Sequence, residues 1–349
     1  MLQRSIRRFS DFLKRYGIPD IIDLRPSRDL LLVSGLDAGK LIQNTSTIDT
    51  YSLLKRDTEE GIYGAFLTAQ GRVMFDAWIY PRRQLPDEAT RPLVIEVDHG
   101  VGERLAIHLA YHKLRLQAEF KDLTQTHEVR ITNQGNESDG MFALDNRGGW
   151  SLKRSIQVRQ GSPTSLQHPV EYDDVKLSLS EDDRILDHLR LACGVPEGMQ
   201  LMRIREMFPF DCNLDALNAL DLKKGCYLGQ ELVTRTLTRG VIRRRLLPFR
   251  ILGVLGETDI EDARSSWTLR QHKPQVYLDR SLFPVTLPDF TPAPSRNYGN
   301  IVVMQPDENA GWALVRLEEF EQTPLFAIKR SDALMLCEAI LPDYLCNKT

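Results

Sequence analysis

Around Pro248 the pattern of the chain changes, and this change constrains the fold more than any other feature. Before it, apolar strands alternate with amphipathic helices. After it come short apolar strands, such as 249–254, 300–304 and 324–328, broken by the proline-rich Thr286-Leu-Pro-Asp-Phe-Thr-Pro-Ala-Pro294. A chain of 349 residues is too long for one ordinary core. The economical reading is an α+β region followed by a small C-terminal β-domain. No internal repeat suggests a solenoid.

Within the first region, Asp29-Leu-Leu-Leu-Val-Ser34 reads as a buried strand that turns through Gly35 into a short helix ending near Gln43. Segments 61–69 and 72–80 form a hairpin around Gln70-Gly71. Leu93–Val97 is a further strand, and 99–113 is a helix with Val101, Leu105, His108, Leu109 and His112 on one face. Strands follow at 127–132 and 141–145, and 160–174 is a loop. A helix then starts behind Ser180 with Glu181, Asp182 and Asp183 in its first turn. Its apolar stripe is Ile185, Leu186, Leu189 and Cys193, and it ends at Gly194 and Pro196.

Charge narrows the function. Forty-five basic and 48 acidic residues leave a formal charge of -3, which argues against coating nucleic acid by bulk charge. The 8% aromatic content excludes a disordered chain. No apolar run approaches the roughly 18 residues of a membrane span. The first fifteen residues, MLQRSIRRFSDFLKR, set Arg4, Arg7, Arg8, Lys14 and Arg15 against the single acid Asp11, with Leu, Ile and Phe between them. They read as a mitochondrial targeting segment, the alternative being a basic N-terminus of a cytosolic protein. Five cysteines without Cys-x-x-Cys spacing encode neither a disulfide framework nor a classical zinc site, which suits a reducing compartment.

The densest constellation is Lys223-Lys-Gly-Cys-Tyr-Leu-Gly-Gln-Glu231. Two glycines free the backbone around Cys226, and the flanking lysines favour a thiolate, the nucleophilic and soft metal-ligating form. A buried cysteine in an ordinary turn is the alternative. Cys193 and Cys337 read as packed, and Cys212 is undecided. From Lys223 to Arg250 lie Lys223, Lys224, Arg235, Arg239, Arg243, Arg244, Arg245 and Arg250 against Glu231, a local positive excess. Polyglutamylated folate, an acidic assembly protein, RNA and a solvated strand edge all suit it. His108 and His112, one helical turn apart, lack the further ligands of a metal set and read as a helix face.

Lys224-Gly-Cys-Tyr-Leu-Gly-Gln-Glu231, preceded by Asn213-Leu-Asp-Ala-Leu and followed by Thr236-Leu-Thr-Arg-Gly-Val-Ile-Arg-Arg-Arg245, resembles the signature of the YgfZ-type folate-binding proteins, whose mitochondrial branch acts in iron-sulfur assembly. Val33–Ala38, Leu67–Arg72, Arg190–Glu197 and Phe208–Asn213 extend the resemblance over roughly 20–245. It implies the aminomethyltransferase-like folate-binding fold, two intertwined α+β lobes around a central channel plus a C-terminal β-barrel. The corresponding division is a targeting segment at 1–15, the bilobal region at 16–245 and the barrel at 246–349, with 255–299 as an insertion in the barrel.

For the site, the resemblance implies tetrahydrofolate as a cofactor, with Asp76, Arg190, Gln230 and Glu231 as its binding residues. Asp76 falls where aminomethyltransferases carry the carboxylate facing the reactive folate nitrogen, and is otherwise a strand-end carboxylate. Arg190 offers a planar fork to a folate carboxylate, or simply a charge suited to a helix C-terminus. The pterin glutamate of a Gly-Glu-Asp-Gly-like segment is missing; the stretch there is Phe142-Ala-Leu-Asp-Asn-Arg-Gly-Gly149. Asp211 stands where the family often has Glu.

The expectation is a mitochondrial matrix assembly factor rather than a conventional enzyme. Cys226 is to ligate a [2Fe-2S] cluster shared with an A-type iron-sulfur carrier, serving maturation of [4Fe-4S] proteins, since about four ligands are needed and one is present. The alternatives are a tetrahydrofolate-dependent aminomethyltransferase and an RNA-modification accessory protein, although RNA fits the overall charge poorly.

Overall fold

A computed structural model describes residues 21–24, 27–82, 91–132, 140–149, 151–159, 181–256, 281–284, 298–305, 309–329 and 333–346. The basic segment 1–15, the 160–174 loop, Ser180 and most of 255–299 lie outside these residues. In chain order the elements are β1 (Ile21–Asp23), β2 (Arg28–Ser34), α1 (Ala38–Thr45), α2 (Thr50–Lys55), β3 (Ile62–Leu67), β4 (Val73–Pro81), β5 (Leu93–Asp98), α3 (Gly102–Lys113), β6 (Glu119–Asp122), β7 (His127–Thr132), β8 (Phe142–Asp145), β9 (Leu152–Val158), α4 (Glu181–Cys193) and α5 (Gln230–Arg239). Then follow β10 (Arg244–Gly256), β11 (Ser281–Pro284), β12 (Gly299–Gln305), β13 (Ala310–Arg316), α6 (Leu317–Gln322), β14 (Leu325–Lys329), β15 (Ala333–Ala339) and α7 (Asp343–Cys346). No helix among the described residues is long and apolar enough to cross a membrane.

Strands β3-β4-β5-β2-β6 form an antiparallel sheet, and β1-β7-β9-β8 form a second. Side chains alternate across a strand, so each strand of the first sheet divides its residues between two cores. Leu31, Val33, Phe75, Ala77, Ile79 and Ile95 face α1 and α3. Leu30, Leu32, Trp78, Tyr80 and Val94 face the second sheet, α4 and one wall of the barrel. The same alternation carries Arg28, Asp76 and Glu96 into that second, inter-sheet layer. Cys212 lies in this layer and Cys337 in the barrel interior, so the undecided cysteine and the expected core cysteine are both fully buried.

The C-terminal strands close as β10-β13-β12-β11-β14-β15. β10 closes the ring: its first half pairs with β13 and its second half with β15, with a register shift between Ile251 and Gly253. The α+β architecture with a C-terminal barrel expected from the sequence is therefore the one observed. Asn213 joins the barrel to the rest by donating from Nδ2 to Leu246 O (2.7 Å) and to Tyr344 Oη (3.1 Å), while the Tyr344 hydroxyl donates to Gly194 O (2.6 Å).

Helix α3 begins at Gly102, three residues later than its periodicity suggests. Gly100 turns the chain with φ +78°, and the distant Asp29 carboxylate accepts the Gly102 N–H at 2.9 Å. Strands β1, β6 and β9 and helices α2 and α5 had no clear signal in the sequence.

Candidate functional site

The residues singled out from the sequence fall in two places, a surface loop and a buried ionic layer. Cys226 lies on the loop between Leu220 and α5 and is exposed, whereas Cys212 and Cys337 are buried and Cys193 and Cys346 are half-buried. Burial pushes the Cys212 and Cys337 thiols far above the ordinary range, so neither supplies a thiolate readily. An exposed thiol on a loop is useful only if the loop has a fixed shape.

That shape comes from the turn between α1 and α2. Lys224 turns its ammonium inward, where Nζ donates to Gln43 O, Ser46 O and Ile48 O at 2.7, 2.6 and 2.6 Å. These three bonds satisfy carbonyls exposed at the end of α1 and in the following turn. Nζ also lies 4.8 Å from the centre of the Tyr227 ring. Burial lowers the Lys224 pKa to about 7, against the opposing pull of Asp49 and Asp221. The sequence suggested that both lysines act on the sulfur; in the fold all three Lys224 donors are committed to the main chain, and the residue anchors the loop. The Asp221 carboxylate accepts the Lys223 N–H (2.8 Å) and the Lys224 N–H (3.2 Å), and Leu228 N–H reaches Asn44 O at 2.9 Å.

The far side of the loop sits on the β3–β4 hairpin. Gly229 has φ +82°, and a Cβ there would lie 2.5 Å from Thr68 O; Gly71 has φ +72°, and its Cβ would lie 2.7 Å from Leu232 Cβ. The two glycines let hairpin turn and loop touch backbone to backbone. Gly225, beside the cysteine, meets nothing within 4 Å. Gln230 and Glu231 occupy the first turn of α5 immediately after this contact, with Glu231 exposed where a carboxylate suits the helix dipole.

Asp76 and Arg190 belong to the buried layer, both held by the Glu197-Gly198 segment, Arg190 through the Glu197 carboxylate and Asp76 through the Gly198 N–H. Asp76 Oδ2 accepts from Tyr63 Oη (2.8 Å) and from Gly198 N (2.9 Å). Burial, with Asp98 and Glu197 adding repulsion, raises its pKa to about 6 despite Arg28. Arg190 is paired with Glu197 and, at 3.2 Å, with Asp187. Arg147 joins Glu197 to Asp145, and Arg154 and Arg28 both bind Glu96. The four arginines hold Glu197 well below the ordinary carboxylate range although it is fully buried.

Several donors in this layer have no acceptor among the described residues: Trp78 Nε1, Arg147 Nη1, and Arg154 Nε and Nη1. Arg147 also lies 4.0 Å over the Tyr63 ring and 4.8 Å over the Trp78 ring. Buried donors of this kind call for an acceptor-rich group or water.

The structure therefore places Asp76 and Arg190 in the buried layer and Gln230 and Glu231 at the start of α5, just after the Cys226 loop. Sequence reading missed Arg28, Glu96, Arg147, Arg154 and Glu197. A signal was present: Glu96 interrupts the apolar Leu93-Val-Ile-Glu-Val97, and Arg154 sits between Leu152 and Ile156 on their own face of β9. The positive excess at 223–250 is also tempered by folding. Arg244 pairs with Asp211 (2.8 Å), Arg245 with Asp215 and Arg250 with Glu338 (2.6 Å), and Lys224 is buried.

Known proteins show the same chain pattern. The sequence is 32% identical over 236 residues to the "Iron-sulfur cluster assembly factor IBA57 homolog, mitochondrial" of Neurospora crassa, covering 64% of this chain and 52% of that protein. The protein of the same name from Dictyostelium discoideum is 30% identical over 262 residues, covering 68% of this chain and 63% of its own. That of Yarrowia lipolytica is 29% identical over 265 residues, covering 66% and 55%. The chain is similar to these IBA57 homologues over about two thirds of its own length. It spans between half and two thirds of the length of those relatives. No family model matches the chain. A crystal structure of the glycine cleavage system aminomethyltransferase T from Bartonella henselae superposes on this chain with a TM-score of 0.57 at 10% identity, covering 97% of this chain and 89% of the other. That likeness shows the fold, which is aminomethyltransferase-like.

Proposed function

We propose that this chain is a mitochondrial matrix iron-sulfur cluster assembly factor that works with A-type carrier proteins in the maturation of [4Fe-4S] proteins. The observation that carries the reading is the exposure of Cys226 on a loop fixed by Lys224, in a chain whose relatives bear the name of cluster assembly factors. One thiolate cannot complete a cluster, so Cys226 contributes a single ligand, and the partner's thiolates supply the rest of a bridging [2Fe-2S] unit. The cluster is cargo; the chain's own task is to present one deprotonated sulfur at a fixed position. The thiol proton leaves to solvent on ligation, which the exposure of Cys226 permits.

The reading extends to tetrahydrofolate at the buried layer. The unsatisfied donors of Trp78, Arg147 and Arg154 suit a ring system rich in acceptors, and the Asp76 carboxyl, with its raised pKa, can hold or release a proton opposite a ring nitrogen. Arg190, committed to Glu197 and Asp187, orders this layer. Bound tetrahydrofolate would supply redox or one-carbon chemistry. Loss of tetrahydrofolate binding in Asp76→Asn, read by fluorescence titration, is the expected result, and unchanged binding removes Asp76 from the site.

The main test is anaerobic ultraviolet-visible spectroscopy of the protein mixed with a cluster-loaded A-type carrier. A stable shared-cluster spectrum that disappears in Cys226→Ser is expected. A spectrum unaffected by the substitution overturns the ligand assignment. No complex in either case returns the chain to the folate-dependent transferase alternative.

A further inference from the structure

On the face of the first sheet opposite Asp76, a cleft of about 1050 Å³ opens between the β3–β4 hairpin and α3. Its floor is Met74, Phe75 and His108, and Leu228, two residues from Cys226, forms part of its wall. The imidazole of His108 stands edge-on to Phe66 and Phe75 and 4.7 Å from the His112 ring, and its Nε2 is buried without a hydrogen-bond partner among the described residues. Burial, with smaller contributions from His112 and Arg205, lowers the His108 pKa to about 4, so the ring is neutral near pH 7. The charge of the cleft therefore comes from Arg72, Arg104 and Arg205, and no carboxylate is among its lining residues.

Helix α3 adds an apolar edge. Ile107 and Tyr111, four residues apart on one helical face, are 63% and 78% exposed, and Leu114, the residue just past the helix end, is 86% exposed. Isolated apolar side chains at a surface need no explanation, but two on one helical face that line a cleft, with a third at the end of the same helix, form a patch. The patch reaches past the cleft to Leu114, beyond what a small ligand would cover. A basic-rimmed apolar surface of this kind complements an acidic polypeptide with an apolar anchor.

We propose that the cleft and the Ile107–Tyr111–Leu114 edge dock an acidic segment of the cluster-sharing partner. An apolar side chain enters beside Leu228, and the partner's thiolates are thereby carried to Cys226. This inference rests on Cys226 acting as a shared-cluster ligand. It assigns affinity to the α3 cleft and ligation to the loop, so the two functions separate by mutation. His108 Nε2 then accepts or donates one hydrogen bond at the anchor, a partner the free protein does not provide.

The test measures affinity of the full chain for a purified A-type carrier, both cluster-free and [2Fe-2S]-loaded, by isothermal titration at low and high salt, with circular dichroism as a check on folding. Tyr111→Ser combined with Leu114→Ser, both at exposed positions, weakens binding of either carrier form about tenfold or more, the scale of losing anchor residues from an interface. Arg205→Glu weakens binding at low salt and much less at high salt. Cys226→Ser binds the cluster-free carrier as the wild type does. Unchanged affinity in the Tyr111/Leu114 double variant overturns the docking surface, and if the wild-type shared-cluster spectrum persists, the ligand role of Cys226 stands without it. A spectrum retained by Cys226→Ser overturns the ligand role even where the α3 variants lose affinity. A wild-type protein that binds neither carrier form overturns both.

Discussion

Arg190 and Lys224 are both cations taken out of water, and the molecule compensates them differently. Arg190 lies among carboxylates in a layer where Glu197 alone is paired with two arginines and has two more near it. Lys224 has only main-chain oxygens, three carbonyls from one turn. The first arrangement ties two sheets together through charges that lose most of their worth if one partner is removed. The second is local: a single side chain fixes one loop on one turn and leaves the cores untouched. A buried site and an exposed thiol can thus share a fold and fail independently.

The largest effect expected from breaking this contrast is that of Glu197→Gln, which leaves Arg147 and Arg190 without their shared countercharge. A loss of about 3–5 kcal/mol is expected in denaturant unfolding; a loss under about 1 kcal/mol would mean the arginines re-pair among Asp145, Asp187 and Glu96. Lys224→Met exposes three carbonyls to an apolar group and should cost about 2–3 kcal/mol. Its specific signature is faster alkylation of Cys226 by iodoacetamide without a matching rise in global unfolding rate. Equal alkylation rates in variant and wild type would show that the loop holds its shape without the anchor.

The two glycines flanking the cysteine sharpen the same point. Gly229→Ala forces a Cβ against Thr68 O at a left-handed backbone position and should cost about 1–3 kcal/mol, whereas Gly225→Ala, in open space, should stay within about 0.5 kcal/mol of the wild type. Equal effects would remove the distinction between the packed and open sides of the loop.

The remaining expected effect is a pH dependence. Folded Asp76 keeps its proton up to about pH 6, while the unfolded chain releases it near 4. The folded state binds more protons in that window, so this group's contribution falls as pH rises, by at most about 1.4 kcal/mol per pH unit. His108, lowered to about 4, acts in the opposite direction between 4 and 6.5. The informative quantity is therefore the stability of wild type minus that of Asp76→Asn, which should decline from pH 4.5 to 6. A flat difference would mean Asp76 is ionised throughout.

Much of this was legible in local pattern. The hairpin about Gly71, the helix ending at Gly194 and the strands of the barrel follow from periodicity and punctuation, because a strand or helix facing a core must repeat its apolar residues. Cys226 was singled out by its glycines and lysines, but its exposure, against the alternative of a buried turn, came from the fold. The expectation that both lysines serve the sulfur was altered by the fold, since Lys224 finds carbonyls some 180 residues earlier in the chain. Helix α5 lacks a readable apolar stripe because, of its three apolar residues Leu232, Val233 and Leu237, Val233 alone is fully buried.

By itself the sequence determined the α+β class with its C-terminal β-domain and the order of most elements, because each depends on the spacing of apolar and turn residues along the chain, whereas the exposure of Cys226 was settled by the fold. Only the tertiary structure decided which charges meet. Glu197 collects arginines from β9, α4 and the turn after β8, and Lys224 and Leu228 reach the α1–α2 region from the far side of the lobe. Such pairings depend on distances in space between residues far apart in sequence, and burial then multiplies their energy in a way no local pattern records.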